Sequence, residues 1–73
     1  MTVKDILTRL PSDAYIQLRR YSDVLYKEVV IDTRCTTAEE LLQHSVFNDE
    51  LVADIHIDYT DDDEIDTVII KLV

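Results

Sequence analysis

The feature that most limits the fold of this chain is a pattern that occurs twice: a short helical period, then two stretches that alternate apolar and polar residues. In the first pass Thr2 is placed to cap a helix in which Val3, Ile6, Leu7 and Leu10 fall at helical spacing, and Pro11 stops it. AYIQLRR then alternates, with Ala14, Ile16 and Leu18 on one side and Tyr15, Gln17 and Arg19 on the other. Ser22-Asp23 supplies a polar turn, and VLYKEVVID reads as the returning strand with Leu25, Val29 and Ile31 inward. In the second pass TAEE has the form of a capping box, Thr37 with Glu40, ahead of a helix whose apolar side is Ala38, Leu41, Leu42 and Phe47. LVADIHIDYT sets Leu51, Ala53, Ile55, Ile57 and Tyr59 against Val52, Asp54, His56 and Asp58, and IDTVIIKLV returns with Val68, Ile70 and Leu72 on one face.

This order predicts an α+β domain, αββαββ, in which a four-stranded, mainly antiparallel sheet carries both helices on one face. The expected core is Ile6, Leu7, Leu10, Ile16, Leu18, Val29, Ile31, Leu41, Leu42, Ile55, Ile57, Val68, Ile70 and Leu72. All 73 residues make a single domain, composed of a helix-hairpin unit over 1–34 and a second, acidic one over 35–73. Thr2-Val-Lys-Asp-Ile-Leu matches Thr37-Ala-Glu-Glu-Leu-Leu in polarity, which fits either an internal duplication or the chance likeness of short helix-hairpin units. A domain this small buries only about 60% of its unfolded surface, so its stability margin is thin and self-association, a homodimer in the simplest case, is attractive.

Composition removes several classes of function. The chain has no glycine, which excludes Gly-rich phosphate loops, dinucleotide fingerprints and Gly-flanked nucleophile elbows. Cys35 is the only cysteine, so no intrachain disulfide forms, and it reads as a partly buried small residue at the entrance of the second helix. Together with His44 and His56 it is too little for an ordinary zinc cage of four protein ligands, unless carboxylates join or two chains share the site. The apolar share of 47% excludes a disordered acidic tail. Apolar runs such as Val29-Val30-Ile31 and Val68-Ile69-Ile70 fall far short of the ~20 residues of a membrane helix. MTVKDILTRL reaches charge at once and lacks an apolar signal core, so the expected location is the cytoplasm.

Charge is distributed unevenly. Residues 1–34 balance Asp5, Asp13, Asp23, Glu28 and Asp32 against Lys4, Arg9, Arg19, Arg20, Lys27 and Arg34. Residues 35–73 hold the other eleven acids and one base, Lys71, a sum of −10 against +1 for residues 1–34, so the formal charge of −9 is a property of the second half. Asp61, Asp62, Asp63, Glu64 and Asp66 crowd five of those acids into one turn, with Asp54 and Asp58 close by. Such a run protects a strand edge from pairing with other chains. It also suits a basic partner surface of the kind that nucleic acid normally occupies, since duplex DNA carries one charge per about 1.7 Å of axis. The candidate partner-binding residues are therefore Asp54, Asp58, Asp61, Asp62, Asp63, Glu64 and Asp66. Direct binding of nucleic acid is not expected, because this half repels phosphate.

Other chemistries fit the acids less well. Asp54-x-His56-x-Asp58 points three side chains the same way from one strand, about 6.6 Å apart, and three in a row converge poorly on one ion. The acids of the turn are consecutive, whereas an EF-hand alternates them around a glycine. No catalytic, metal or cofactor-binding residue is assigned. The expected function is a non-enzymatic binding protein. With two helices on one face of the sheet, the other face would carry Tyr15, Gln17, Arg19, Lys27, Asp54, His56, Asp58, Thr67, Ile69 and Lys71. The alternative is therefore a structural protein that builds a homo-oligomer or scaffolds an assembly through this open face.

The opening TVKDILTRLPSDAYIQL resembles the start of small acidic proteins encoded by phages and prophages of Gram-positive bacteria. Those open with a Thr-Val-Lys-Asp-Leu-Leu type helix, followed by Leu-Pro, an acidic residue and a strand. The ending, an acidic turn followed by VIIKLV, is similar to their closing strand. The chain departs from them in lacking their glycine or asparagine turns. The resemblance implies a phage origin and, because small acidic phage proteins are frequently inhibitors of host machinery with anti-CRISPR proteins among them, an inhibitor of a host protein such as a CRISPR effector. It carries over no functional residue.

Overall fold

The structure is a computed structural model that describes residues 1–32, 36–58 and 67–73. The order is αββαββ: α1 (Val3–Leu7), β1 (Tyr15–Ser22), β2 (Lys27–Ile31), α2 (Ala38–His44), β3 (Val52–Asp58) and β4 (Thr67–Leu72). The four strands form one sheet in the order β2-β1-β4-β3. Each hairpin, β1–β2 and β3–β4, is antiparallel, and the two central strands β1 and β4 run parallel, with Ile16 opposite Val68 and Leu18 opposite Ile70. The sheet is mixed and mostly antiparallel.

One apolar cluster joins the layers. Val3, Ile6 and Leu7 of α1 and Ala38 and Leu41 of α2 pack with Ile16 and Leu18 of β1 and Val68, Ile70 and Leu72 of β4. All five strand residues lie on one sheet face by register, and both helices contribute their buried residues to it. Leu10, Ile31, Leu42, Phe47 and Val52 pack around the margin.

The helices are short, and their ends are tied mainly by the other half of the chain. Thr2 and Asp5 form a complete capping box on α1: Thr2 Oγ1 accepts from the Asp5 N–H at 3.4 Å and Asp5 Oδ2 accepts from the Thr2 N–H at 3.0 Å. The next free amides of α1, at Val3 and Lys4, donate to the carbonyls of Glu50 and Asn48. At α2 the amides of Ala38 and Glu39 donate to the carbonyls of Ala14 and Ser12. Asn48 Nδ2 donates to the carbonyls of Leu41 and Leu42 at 3.1 and 3.2 Å, and the Leu41 carbonyl also accepts from the Ser45 N–H at 3.0 Å. The expected box at Thr37 is half formed, since Thr37 Oγ1 accepts from the Glu40 N–H but the Glu40 carboxylate takes the hydroxyls of Thr36 and Thr37 instead.

Several expected positions differ. Ile55 and Ile57 face the core side, opposite Ile70 and Val68, yet remain 43% and 45% exposed on β3, an edge strand of the sheet. The register shifts between Val52 and Asp54, so a bulge at Ala53 turns Val52 to the core side, opposite Leu72, against the expected alternation. Ile69, expected on an open face, is only 4% exposed, flanked in register by Gln17 and His56. Lys27 pairs with Ser22 and shares the side of Val29 and Ile31, not the open face. Leu25 belongs to the β1–β2 turn and is exposed. That turn closes through Tyr26 N–H to the Ser22 carbonyl at 2.8 Å, with Tyr26 in the left-handed region at φ 56°. Cys35, Tyr59 and the acid run from Asp61 to Asp66 lie outside the described residues.

Candidate interaction surface

The sheet face away from the core cluster is built by alternate residues of all four strands: Glu28 and Val30 on β2, Gln17, Arg19 and Tyr21 on β1, Ile69 and Lys71 on β4, Asp54 and His56 on β3. A polar chain runs across its middle. Glu28 accepts from Lys71 at 3.1 Å and lies 3.9 Å from Arg19, whose Nε donates to Gln17 Oε1 at 2.6 Å. Arg19 and Lys71 are direct neighbours in register, so Glu28 holds two like charges together. The polar chain engages Arg19 and Lys71, and among the described residues Tyr15 and Tyr21 are the exposed aromatics of this face.

Of the expected partner-binding acids, Asp54 is exposed on β3, opposite Lys71 in register. Its Oδ1 accepts from the N–H of Ile55 at 2.9 Å. Asp58 ends β3 opposite Thr67, and Asp61, Asp62, Asp63, Glu64 and Asp66 lie outside the described residues. The structure therefore brings Asp54 and Asp58 onto one strand, two pleats apart.

On the core side Arg20 reaches over the Phe47 ring, 5.8 Å from its centroid, and pairs with Glu50 at 3.2 Å. This arginine, which the sequence pattern did not single out, roofs the core at the strand-loop junction. An i, i+2 parity count from Leu18 would have placed it there.

An open depression of about 280 Å³ sits at the start of β1, where β2 has ended and Thr36 and Thr37 pair with Tyr15 and Ile16 instead. Its polar lining is Tyr15, Gln17, Asp32, Thr36 and Thr67, without a histidine, lysine or cysteine among the described residues. Such a lining offers hydroxyl, amide and carboxylate groups for hydrogen bonds. Among the described residues no group of three or more His, Cys, Asp or Glu side chains is arranged to hold a metal ion, and no helix is long and apolar enough to cross a membrane. Comparison with family models, curated proteins and solved structures returned no match.

Proposed function

We propose that this chain is a non-enzymatic, phage-encoded inhibitor that acts in the host cytoplasm on a nucleic-acid-handling defence protein, with a CRISPR effector as the favoured target. Its acidic second half occupies a basic groove that nucleic acid would otherwise fill. The observation that supports this reading is the uncompensated charge of residues 35–73. Their one base, Lys71, is engaged at 3.1 Å by Glu28 of the first half, and among the described residues of this half Glu50 is the acid paired with a base, Arg20, at 3.2 Å. A surface of this sign steers toward Lys- and Arg-lined grooves and away from phosphate. Asp54, Asp58, Asp61, Asp62, Asp63, Glu64 and Asp66 are the residues assigned to the contact.

The test begins with a pull-down from host lysate at low and high salt, followed by binding kinetics with the purified partner. Guide or target nucleic acid added first should block capture. Replacing Asp61, Asp62 and Asp63 by asparagine should slow association severalfold and flatten its salt dependence, with a smaller effect on dissociation. An unchanged on-rate and salt slope would remove the acid run from the contact and sink the proposal.

A further inference from the structure

The exposed edge of β3 is self-complementary, and we infer that it is the seam of a homodimer in which two copies of β3 pair antiparallel about a two-fold axis at Ile55. The inference does not rest on the inhibitor reading. At one end of the edge Met1 already occupies it: the Val52 N–H donates to the Met1 carbonyl at 2.9 Å, and Thr2 bridges Leu51. From Ala53 onward no other strand of the sheet covers it among the described residues. The Ile55 N–H donates to the side-chain carboxylate of its own neighbour Asp54 at 2.9 Å. An edge amide held by an adjacent side chain is readily handed to a second strand, because the backbone acceptor it gains frees Asp54 for another partner.

Charge narrows the axis to Ile55 or Ile57, either of which sets His56 opposite an aspartate, and of these Ile55 is the one centred on β3. With the axis at Ile55, Asp54 of each copy faces His56 of the second copy on the polar side, and Ile55 faces Ile55 on the apolar side, with Ala53 facing Ile57. Moving the axis to His56 sets Asp54 against Asp58, and moving it to Asp54 sets that carboxylate against itself. Both alternatives place like charges directly opposite one another. A register shifted by a single residue puts the isoleucines beside aspartate and histidine. The chosen register also covers the two isoleucines that stand 43% and 45% exposed on this edge. A second copy of this chain is thus the occupant that fits the edge on both faces at once.

The experiment uses the full chain. Sedimentation should show its mass rising with concentration from 8.5 kDa toward twice that value. Ile55→Lys, which introduces a charge on the edge, should stay at the monomer mass with an unchanged circular dichroism spectrum. Register is read with single cysteines in a Cys35→Ser background under a glutathione redox buffer. Residues facing each other across a hydrogen-bonded antiparallel pair have Cα atoms about 5.5 Å apart, inside disulfide reach. Ile55→Cys should therefore cross-link to its own copy about tenfold faster than His56→Cys, whose own copy lies out of reach at ~8 Å. A chain that stays monomeric up to about 1 mM, a dimer that survives Ile55→Lys, or a faster cross-link at His56→Cys would each overturn the inference.

Discussion

Lys71 and Glu28 meet at 3.1 Å although a whole strand, β1, runs between theirs. The contact passes over Arg19, which stands next to Lys71 in register and shares the same carboxylate. Glu28→Gln should leave Arg19 and Lys71 facing each other unscreened. Because all three side chains are about a third exposed, the loss should be modest, about 0.5–1 kcal/mol. Urea melts at low and high salt check this, with the difference from the parent shrinking as salt screens the repulsion.

Placement in the sheet, more than side-chain type, should decide the cost of a buried charge. Ile70→Asp, at a position with no exposure on a central strand, should unfold the domain. Ile69→Asp should also be costly, although it lies on the other face. Ile55→Asp should melt within about 1 kcal/mol of the parent at low concentration, since an edge side chain nearly half exposed keeps its carboxylate in water. Thermal melts of the three variants rank them directly, and a collapse at Ile55→Asp would contradict its edge position.

The box at the start of α1 makes stability sensitive to acid. Backbone and side-chain hydrogen bonds from Thr2 hold the Asp5 carboxyl below its ordinary value of 3.8. A carboxyl whose value is lowered by folding contributes fully above the unfolded value, and the contribution is lost as pH falls through the lowered one. The gap in melting temperature between the parent and Asp5→Asn should therefore be open at neutral pH and close below the ordinary carboxylate range. Thr2→Ala should cost about 1 kcal/mol at neutral pH.

A chain without glycine must place other residues in the left-handed region, and Tyr26 is one, at φ 56°. Its side chain is 81% exposed, so little packing offsets the strain. Tyr26→Gly should stabilise the protein by about 0.5–1 kcal/mol, the relief of a left-handed non-glycine less the chain entropy that glycine adds. Equilibrium denaturation with an unchanged m-value is the measurement.

Element order was legible because each helix and hairpin announces itself locally: Pro11 after Leu10, alternation through AYIQLRR, β-branched residues in VIIKLV. Lateral position in the sheet was not. Alternation tells which side Ile55 and Ile57 face, but only the strand order makes β3 an edge and leaves them exposed. A bulge breaks the period itself, so Val52 reads as outward until Ala53 is seen to be the extra residue. Ile69 is hidden by the strands on either side of β4, a relation that no local pattern encodes. On the candidate surface the sequence identified the residue types, with Asp54 and Asp58 on one strand, but not the ion pairs that tie up Arg19 and Lys71.

The parallel pairing of β1 with β4 also fixes the order in which the chain can acquire its structure. The two hairpins close over short loops and can form early, each by itself. The contacts between Ile16 and Val68, and between Leu18 and Ile70, join positions about fifty residues apart and carry the entropy of that closure before any core burial offsets it. The two helix starts depend on the same event, since the amides of α1 wait for Asn48 and Glu50 while those of α2 wait for Ser12 and Ala14. Neither half is thus a folding unit, and the rate is set at the centre of the sheet. Substitutions at Leu18 or Ile70 should act mainly on the folding limb of a chevron plot, and those at the β1–β2 turn or along β3 on the unfolding limb.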